Sequence, residues 1–389
     1  MRVLFSSLGA IGHVHPLVPL ARALIARGNE VRWATGPESC GRLEQAGIAA
    51  EPAGQTQAER LAEFWRRYPE TRQLPPQQWP DVMFPKMFGE ISPRPALTDL
   101  LPLVRSWQPD LVVHDAAEFA APIAAATLGV AHVTHSFGAL LPEARVRAAG
   151  EAVSPLWGEQ GLECPAYGGA YDHLYVDIYP PRLQSQDAAH LGARQQLRPV
   201  PFDGAPEDGA GSEIVDEVDG PLAYLTFGTV FNDNDAFRTA LSAIADLGVR
   251  VIVTVGPGGD PGAFGRQPSH VVVERYIPQT LILRACDVVI SHAGSGTVLA
   301  TLGSGIPQLC LPQAADQFIN AAAVARTGAG LTIAPADVDA PGVAAAVRQL
   351  LEDPGFRLRA RTVADEIASM PSPDEVARVL ETLSVTGVP

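Results

Sequence analysis

Lysine is nearly missing from this chain: Lys86 is the sole one, so arginine carries almost all of the positive charge. Together with abundant alanine, arginine, glycine and proline, that is the composition of a GC-rich genome. Long apolar runs are missing too. None reaches the roughly 20 residues that span a bilayer, so no membrane span is expected. The chain opens directly on the strand-like Arg2-Val3-Leu4-Phe5-Ser6, without the basic lead and cleavage site of a secretory signal, which predicts a soluble, cytoplasmic protein. Cysteine is scarce: Cys40, Cys164, Cys286 and Cys310 show no paired metal spacing, and Cys286 and Cys310 read as inert buried thiols. The formal net charge of −15 argues against a nucleic-acid partner, whose phosphates would be repelled. It leaves room for a local phosphate site, because a helix N-terminus acts at short range.

What is present is apolar sequence in quantity. With 389 residues, 47% of them hydrophobic, the chain is too long for one ordinary core and suits two domains of roughly 150–200 residues. Two blocks alternate strand-like runs with helical patterns, the signature of doubly wound parallel sheets. In the first block, strands are predicted at Arg2–Ser6, Glu30–Ala34, Asp110–His114 and Ala131–Thr134. Leu17, Leu20, Ala21 and Leu24 recur at helical spacing before a stop at Gly28, and a small-residue helix runs from Ala117 to Leu128. Residues 140–200 show weak periodicity and read as loops and helices added to a scaffold. The acidic, glycine-rich stretch Asp203–Ser212 is the best linker. The second block predicts strands at Leu222–Phe227, Arg250–Val255, Val271–Arg275, Val288–Ser291 and Gln308–Leu311, with helices between them, among them Asp235–Leu247. Two similar folds in series would leave a cleft, and in such sheets ligands bind beyond the carboxyl ends of the strands.

Chemistry-bearing residues fall at those strand ends. His292-Ala293-Gly294-Ser295-Gly296-Thr297 joins a buried strand to the helix Val298–Leu302. Such a loop aims backbone N–H groups outward where the helix dipole is positive, which suits a phosphate; tight packing at the turn would explain its glycines equally. After the first strand, Gly9-Ala10-Ile11-Gly12-His13-Val14-His15-Pro16 places His13 just outside a helix start, where an imidazole can take a proton. His15 reads as structural. Asp115, at the end of another strand, either orients His13 and stabilises its cation or caps the next helix. Asp316-Gln317 either bonds vicinal hydroxyls or caps the helix Phe318–Thr327. Tyr276, in Tyr276-Ile277-Pro278-Gln279, either stacks on a planar base or belongs to a core. Phe64, Trp65, Tyr68, Trp79, Met83, Phe84, Met87 and Phe88 form either an adaptable apolar pocket or a small core under a long loop.

Together these elements resemble the GT-B nucleotide-sugar glycosyltransferases, in particular the bacterial enzymes that decorate natural products such as macrolides, enediynes and aromatic polyketides. Gly12-His13-Val14-His15-Pro16 is similar to the family's G-H-V-x-P, His114-Asp115 to its downstream acid, and Tyr276-Ile277-Pro278-Gln279 to its W-x-P-Q. His292–Thr297 is similar to the H-x-G-x-G-[ST] loop and Asp316-Gln317 to the D-Q pair. The resemblance implies an α/β chain of two Rossmann-like doubly wound domains facing a central cleft. The first would span residues 1–203 and bind the acceptor; the second, 221–371, would bind the nucleotide sugar. Between them lies a linker, 204–220, and residues 372–389 would be a C-terminal helix returning to the first domain.

The same resemblance assigns roles. His13 would be the general base and Asp115 its orienter. Thr229, His292, Gly294, Ser295, Gly296 and Thr297 would hold the diphosphate, and Tyr276, Ile277 and Gln279 the base and ribose. Asp316 and Gln317 would hold the sugar, and Phe64, Trp65, Trp79, Met83, Phe84, Met87 and Phe88 would line the acceptor pocket. The reaction would be an inverting displacement with no metal and no cofactor beyond the donor. UDP-sugar members commonly carry a Glu eight positions after the diphosphate His, bonding both ribose hydroxyls; Ala300 stands there, which fits a 2′-deoxyribose and hence a dTDP-activated deoxysugar. The expected partners are that donor and a hydrophobic aglycone, with no nucleic acid; a homodimer is left open. A UDP-sugar transferase, a sugar-nucleotide 2-epimerase and a non-catalytic activator of the same fold are the alternatives. The aromatic stretch speaks against the epimerase, and the intact His13, Asp115 and His292 against the activator. A nicotinamide dehydrogenase fits poorly, since Gly9 and Gly12 do not complete a dinucleotide fingerprint.

Overall fold

The computed structural model describes residues 1–184, 187–204, 220–228, 235–256 and 258–386. Most of the expected linker, and Thr229, lie outside the described residues. The chain forms two compact units, one from Met1–Tyr179, Gln186–Ala205 and Met370–Pro389, the other from Pro180–Ser185 and Pro206–Ser369.

The first unit holds a seven-stranded, wholly parallel sheet. Its strands are β1 (Arg2–Ser7), β2 (Glu30–Thr35), β3 (Ala49–Pro52), β4 (Leu111–Asp115), β5 (His132–His135), β6 (Leu174–Asp177) and β7 (Ala193–Gln196), in the order β3-β2-β1-β4-β5-β6-β7. The central β1 and β4 are almost continuously buried, as expected for strands covered on both faces. Chain order reverses between β1 and β4, whose register pairs Ser6 with His114, so their carboxyl ends lie side by side at the place where doubly wound sheets bind ligands.

Two sequence expectations need correcting here. Residues 140–200 are more than appended loops: they supply the helix Glu143–Glu159 and the last two strands, β6 and β7. Pro155 inside that helix and the polar, half-exposed Ala193–Gln196 blur the periodicity. His13 also lies inside a helical turn rather than before one. The chain turns helical at Ile11–Val14, tightens to a 3₁₀ turn at His15–Leu17, then continues as Val18–Ala26. Pro16 sits in the tightened turn, where its missing N–H interrupts the regular ladder.

The same unit includes the helix Pro373–Thr386, which packs against Val18–Ala26. Val376, Ala377 and Leu380 are fully buried. Arg27 pairs with Asp374 at 3.2 Å and with Glu381 at 2.8 Å.

The second unit holds a six-stranded parallel sheet of β8 (Leu222–Thr226), β9 (Arg250–Thr254), β10 (Val271–Glu274), β11 (Val288–Ser291), β12 (Gln308–Cys310) and β13 (Gly330–Thr332), ordered β10-β9-β8-β11-β12-β13. Its reversal falls between β8 and β11. Leu225, Phe227, Phe237, Val253, Ile290 and Leu309 form the core of one face. Cys286 and Cys310 are buried, and burial pushes both thiols up to about 12. No described helix is long and apolar enough to cross a membrane.

Candidate functional site

In the first unit, the ends of β1 and β4 bring His13 and Asp115 together. The imidazole Nδ1 lies 3.2 Å from Asp115 Oδ1; the carboxylate is fully buried, while the His13 side chain keeps 16% of its surface exposed. Asp115 Oδ1 also accepts the Ala117 N–H at 2.7 Å, and Oδ2 accepts the Leu8 N–H at 2.9 Å. Burial alone would raise this carboxyl; the His13 ring and the two backbone donors outweigh it and hold the group below its ordinary value. An ionised, immobile acid behind an accessible imidazole is the base-and-orienter arrangement. The helix-capping alternative for Asp115 falls to its neighbour. Glu118 accepts the N–H groups of Ala120 and Ala121, both at 2.8 Å, where the helix Ala120–Ala126 begins. The His13 ring is flanked by Phe137 and Phe88, with centroids 4.6 and 5.9 Å away. His15 turns away to meet Phe202 at 5.0 Å, and burial pulls its pKa down to about 4.

The aromatic stretch divides. Phe64 and Met87 join Ile91 in a small buried cluster, and Phe84 belongs to the main core. Trp65, Tyr68, Met83 and Phe88 pack partly buried against the small cluster, and Trp79 meets Trp65 edge-on at 5.6 Å. Phe88 is the member that touches His13.

In the second unit, the helix Ser295–Gly303 starts immediately beyond β11. Its first backbone hydrogen bond runs from Val298 N–H to the Gly294 carbonyl at 3.0 Å, so the helix itself leaves the N–H groups of Ser295, Gly296 and Thr297 unclaimed. His292 sits between two glycines. A Cβ at Gly294 would fall 2.6 Å from its Nε2, and one at Gly228, where φ is +71°, would fall 2.8 Å from its Cε1. These two glycines therefore make room for the ring. Gly296 differs: an added Cβ would meet nothing within 4 Å, so the protein's own packing does not demand glycine there. Burial lowers the His292 pKa to about 4, against the pull of Asp316 and of a hydrogen bond to the Thr226 backbone, so the ring is neutral at pH 7.

The structure joins Asp316 to this loop. Asp316 Oδ2 accepts the Ser295 hydroxyl at 2.7 Å and the Asn320 amide at 2.9 Å, and the same amide reaches the Ala293 carbonyl at 2.9 Å. Ala293 and Ala315 both adopt positive φ, 65° and 56°, a conformation these bonds help to hold. Gln317 is buried, and its Oε1 accepts the N–H groups of Gln313 and Ala314 at 2.7 and 2.9 Å. Tyr276 is 42% exposed, which removes it from the core. Ile277 lies in an apolar cluster with Tyr224, Ile252 and Ile282, and Ala300, 5% exposed, belongs to that cluster. Gln279 opens the helix Gln279–Leu283.

Sequence reasoning missed Phe137, Glu118 and Asn320. Phe137 and Glu118 follow strand ends that were recognised, and that proximity was the signal available; Asn320 lies inside the helix Gln317–Thr327, one turn after Asp316.

The models for the erythromycin biosynthesis protein CIII-like N-terminal and C-terminal domains match residues 80–206 and 238–383. The elloramycin glycosyltransferase ElmGT of Streptomyces olivaceus is 32% identical, over 98% of this chain and 97% of its own. The glycosyltransferase SnogD of Streptomyces nogalater has the same fold at a TM-score of 0.78, with 27% identity and 99% of each chain covered. The spinosyn rhamnosyltransferase SpnG, solved with thymidine diphosphate, gives 0.79 at 26% identity, covering 98% of this chain and 100% of that one. The two parallel-sheet units are those of the GT-B fold, and the chain belongs to the erythromycin CIII-like family of natural-product glycosyltransferases.

Proposed function

We propose that this enzyme moves a deoxysugar from a dTDP donor to a hydroxyl of a hydrophobic natural-product aglycone, with inversion and with His13 as general base. The observation that carries the reading is the His13–Asp115 pair, a partly exposed imidazole bonded through Nδ1 to a buried, ionised carboxylate. The acceptor hydroxyl gives its proton to Nε2, and Asp115 balances the resulting imidazolium. The freed oxygen pair forms a bond to the anomeric carbon on the face opposite the diphosphate. The carbon–oxygen bond to the β-phosphate breaks, and its electron pair leaves with the nucleotide diphosphate. Charge on that leaving group falls to His292 and to the N–H groups of Ser295, Gly296 and Thr297, so the mechanism calls for no metal. Gly296 supports this assignment, because a glycine that packing does not require suits close approach by a ligand. Asp316, fixed by Ser295 and Asn320, and Gln317 are assigned to the sugar; Tyr276 is assigned to the base, with Ile277 beneath it and Gln279 beside it. Thr229 is assigned to the phosphates, and Trp65, Trp79, Met83 and Phe88 to the aglycone, with Phe64, Phe84 and Met87 as the wall behind them.

Ala300 supports the dTDP donor. It lies in an apolar cluster and its methyl side chain offers no hydrogen bond to a ribose 2′-hydroxyl, and a relative of the same fold was solved with thymidine diphosphate. The test is competition between dTDP-deoxysugars and UDP-glucose, with binding of thymidine, uridine and guanosine diphosphates measured alongside. Preference for UDP-glucose refutes the donor assignment. For His13→Ala, transfer falls by at least about a hundredfold while thymidine diphosphate still binds. Loss of that binding together with activity would assign His13 to structure instead.

A further inference from the structure

Beside the His13–Asp115 pair, the first unit buries an arginine that the mechanism does not use. The helix Gln57–Arg67 starts at a capping box, in which the Glu59 N–H donates to Thr56 Oγ1 at 3.2 Å. Its two inward residues, one turn apart, are Phe64 and Arg60. Arg60 is 3% exposed, its Nε has no hydrogen-bond partner, and no side chain or carbonyl among the described residues pairs with its guanidinium. Burying an unpaired charge is among the costliest arrangements a fold can hold. Burial duly pulls the Arg60 pKa down, and only the more distant charges of Glu38 and Asp115 resist. Both carboxylates are occupied elsewhere. Glu38 accepts the Gln57 N–H at 2.7 Å, and Asp115 is taken by Leu8, Ala117 and His13.

Arg60 lines a recess of about 10 Å³, room for a single oxygen atom, with Ser6, Leu8, Gln55, Ser92 and Glu118. Gln55 Oε1, also buried, has no partner either. Glu118 does not serve as the missing counter-ion: its oxygens accept Ser6 Oγ at 3.0 Å and two backbone N–H groups, and burial raises its pKa to about 7. The recess borders Leu8, whose N–H holds Asp115, so anything bound there sits beside the catalytic pair.

We infer that Arg60 anchors one anionic oxygen of the acceptor, from a carboxylate or an acidic phenol, that reaches into this recess. This rests on the acceptor belonging to the first unit. A guanidinium suits this task, because it stays charged and its hydrogen bonds to an oxyanion are charge-assisted.

The test uses the full-length protein and three probes: 6-hydroxy-2-naphthoate, its methyl ester, and acetate, with affinities from calorimetry. The wild type binds the acid at least about tenfold more tightly than the ester, and Arg60→Met brings that ratio below about twofold. Arg60→Lys retains part of it, and also carries the comparison should the methionine variant fail to fold. Thymidine diphosphate binding is unchanged in every variant. A ratio near one in the wild type, a ratio that both variants preserve, or acetate competing as well as the naphthoate overturns the inference; the last would mark a site for adventitious small anions. Intact discrimination with no transfer to any hydroxylated acceptor sinks the proposed function and leaves the Arg60 site standing.

Discussion

Replacing Asp115 with asparagine tests the proposed chemistry with the least change of shape. The carboxylate accepts three hydrogen bonds, two on Oδ1 and one on Oδ2. An amide offers a single oxygen. Turned toward Ala117 and His13 it keeps two of the three and points its NH₂ at the Leu8 N–H. The Leu8 N–H and the new amide NH₂ then both go unsatisfied, each at about 1–3 kcal/mol of stability. The larger loss is electrostatic. Opposite charges 3.2 Å apart, at an effective dielectric of about 20, attract by about 5 kcal/mol, and asparagine removes that support from the imidazolium. At 1.36 kcal/mol per factor of ten, kcat falls by between about 100-fold and 10,000-fold. The KM for nucleotide sugar, which the proposal assigns to the other unit, moves by no more than about threefold. Release of thymidine diphosphate at saturating acceptor gives the rate, and a thermal melt gives the stability cost. A folded Asp115→Asn enzyme with kcat within tenfold of wild type would refute the argument and reduce Asp115 to a brace for its turn.

Gly294→Ala places a methyl 2.6 Å from His292 Nε2 and displaces the ring; thymidine diphosphate affinity falls by about tenfold or more in titration while the fold persists, and unchanged affinity removes His292 from the site. Ala300→Glu buries a carboxylate in an apolar cluster and lowers stability by about 2–4 kcal/mol; uridine diphosphate then protects against melting better than thymidine diphosphate, and equal protection by the two removes residue 300 from donor choice. His114, His135 and His292 are each lowered by burial from 6.5 to about 4, so the stability of their neutral forms is present above pH 6.5 and lost as pH falls toward 4. Glu118, raised by burial from 4.5 to about 7, acts oppositely, its stability being present below pH 4.5 and lost as pH rises to 7. The urea midpoint therefore climbs from pH 4 to 6.5, more steeply in Glu118→Gln; a flat or falling midpoint would contradict the histidine assignments, and an unchanged slope in Glu118→Gln would contradict that of Glu118.

Strand ends were the most legible part of the sequence. Continuous apolar runs such as Val288–Ser291 give no choice but a buried parallel strand, and glycine or histidine straight after them marks where the backbone turns. Short polar edge strands were not legible. Ala49–Pro52 and Ala193–Gln196 gain their pairing from neighbours and carry little pattern of their own. Arg60 was hidden for a similar reason: in Gln57–Arg67, rich in charge, one inward arginine reads like its solvent-facing neighbours. Helix capping was legible only as an alternative role for Asp115, and three-dimensional packing shows that Glu118 takes that task at Ala120.

The helix Pro373–Thr386 follows the second unit in the chain yet completes the first. On the ribosome, the groove beside Val18–Ala26 therefore waits, apolar and uncovered, while the intervening polypeptide is made. Val376, Ala377 and Leu380 arrive afterwards as a clasp, tying the maturation of the first unit to synthesis of the second. A nascent chain released before them would carry His13 and His292 and an unshielded greasy furrow.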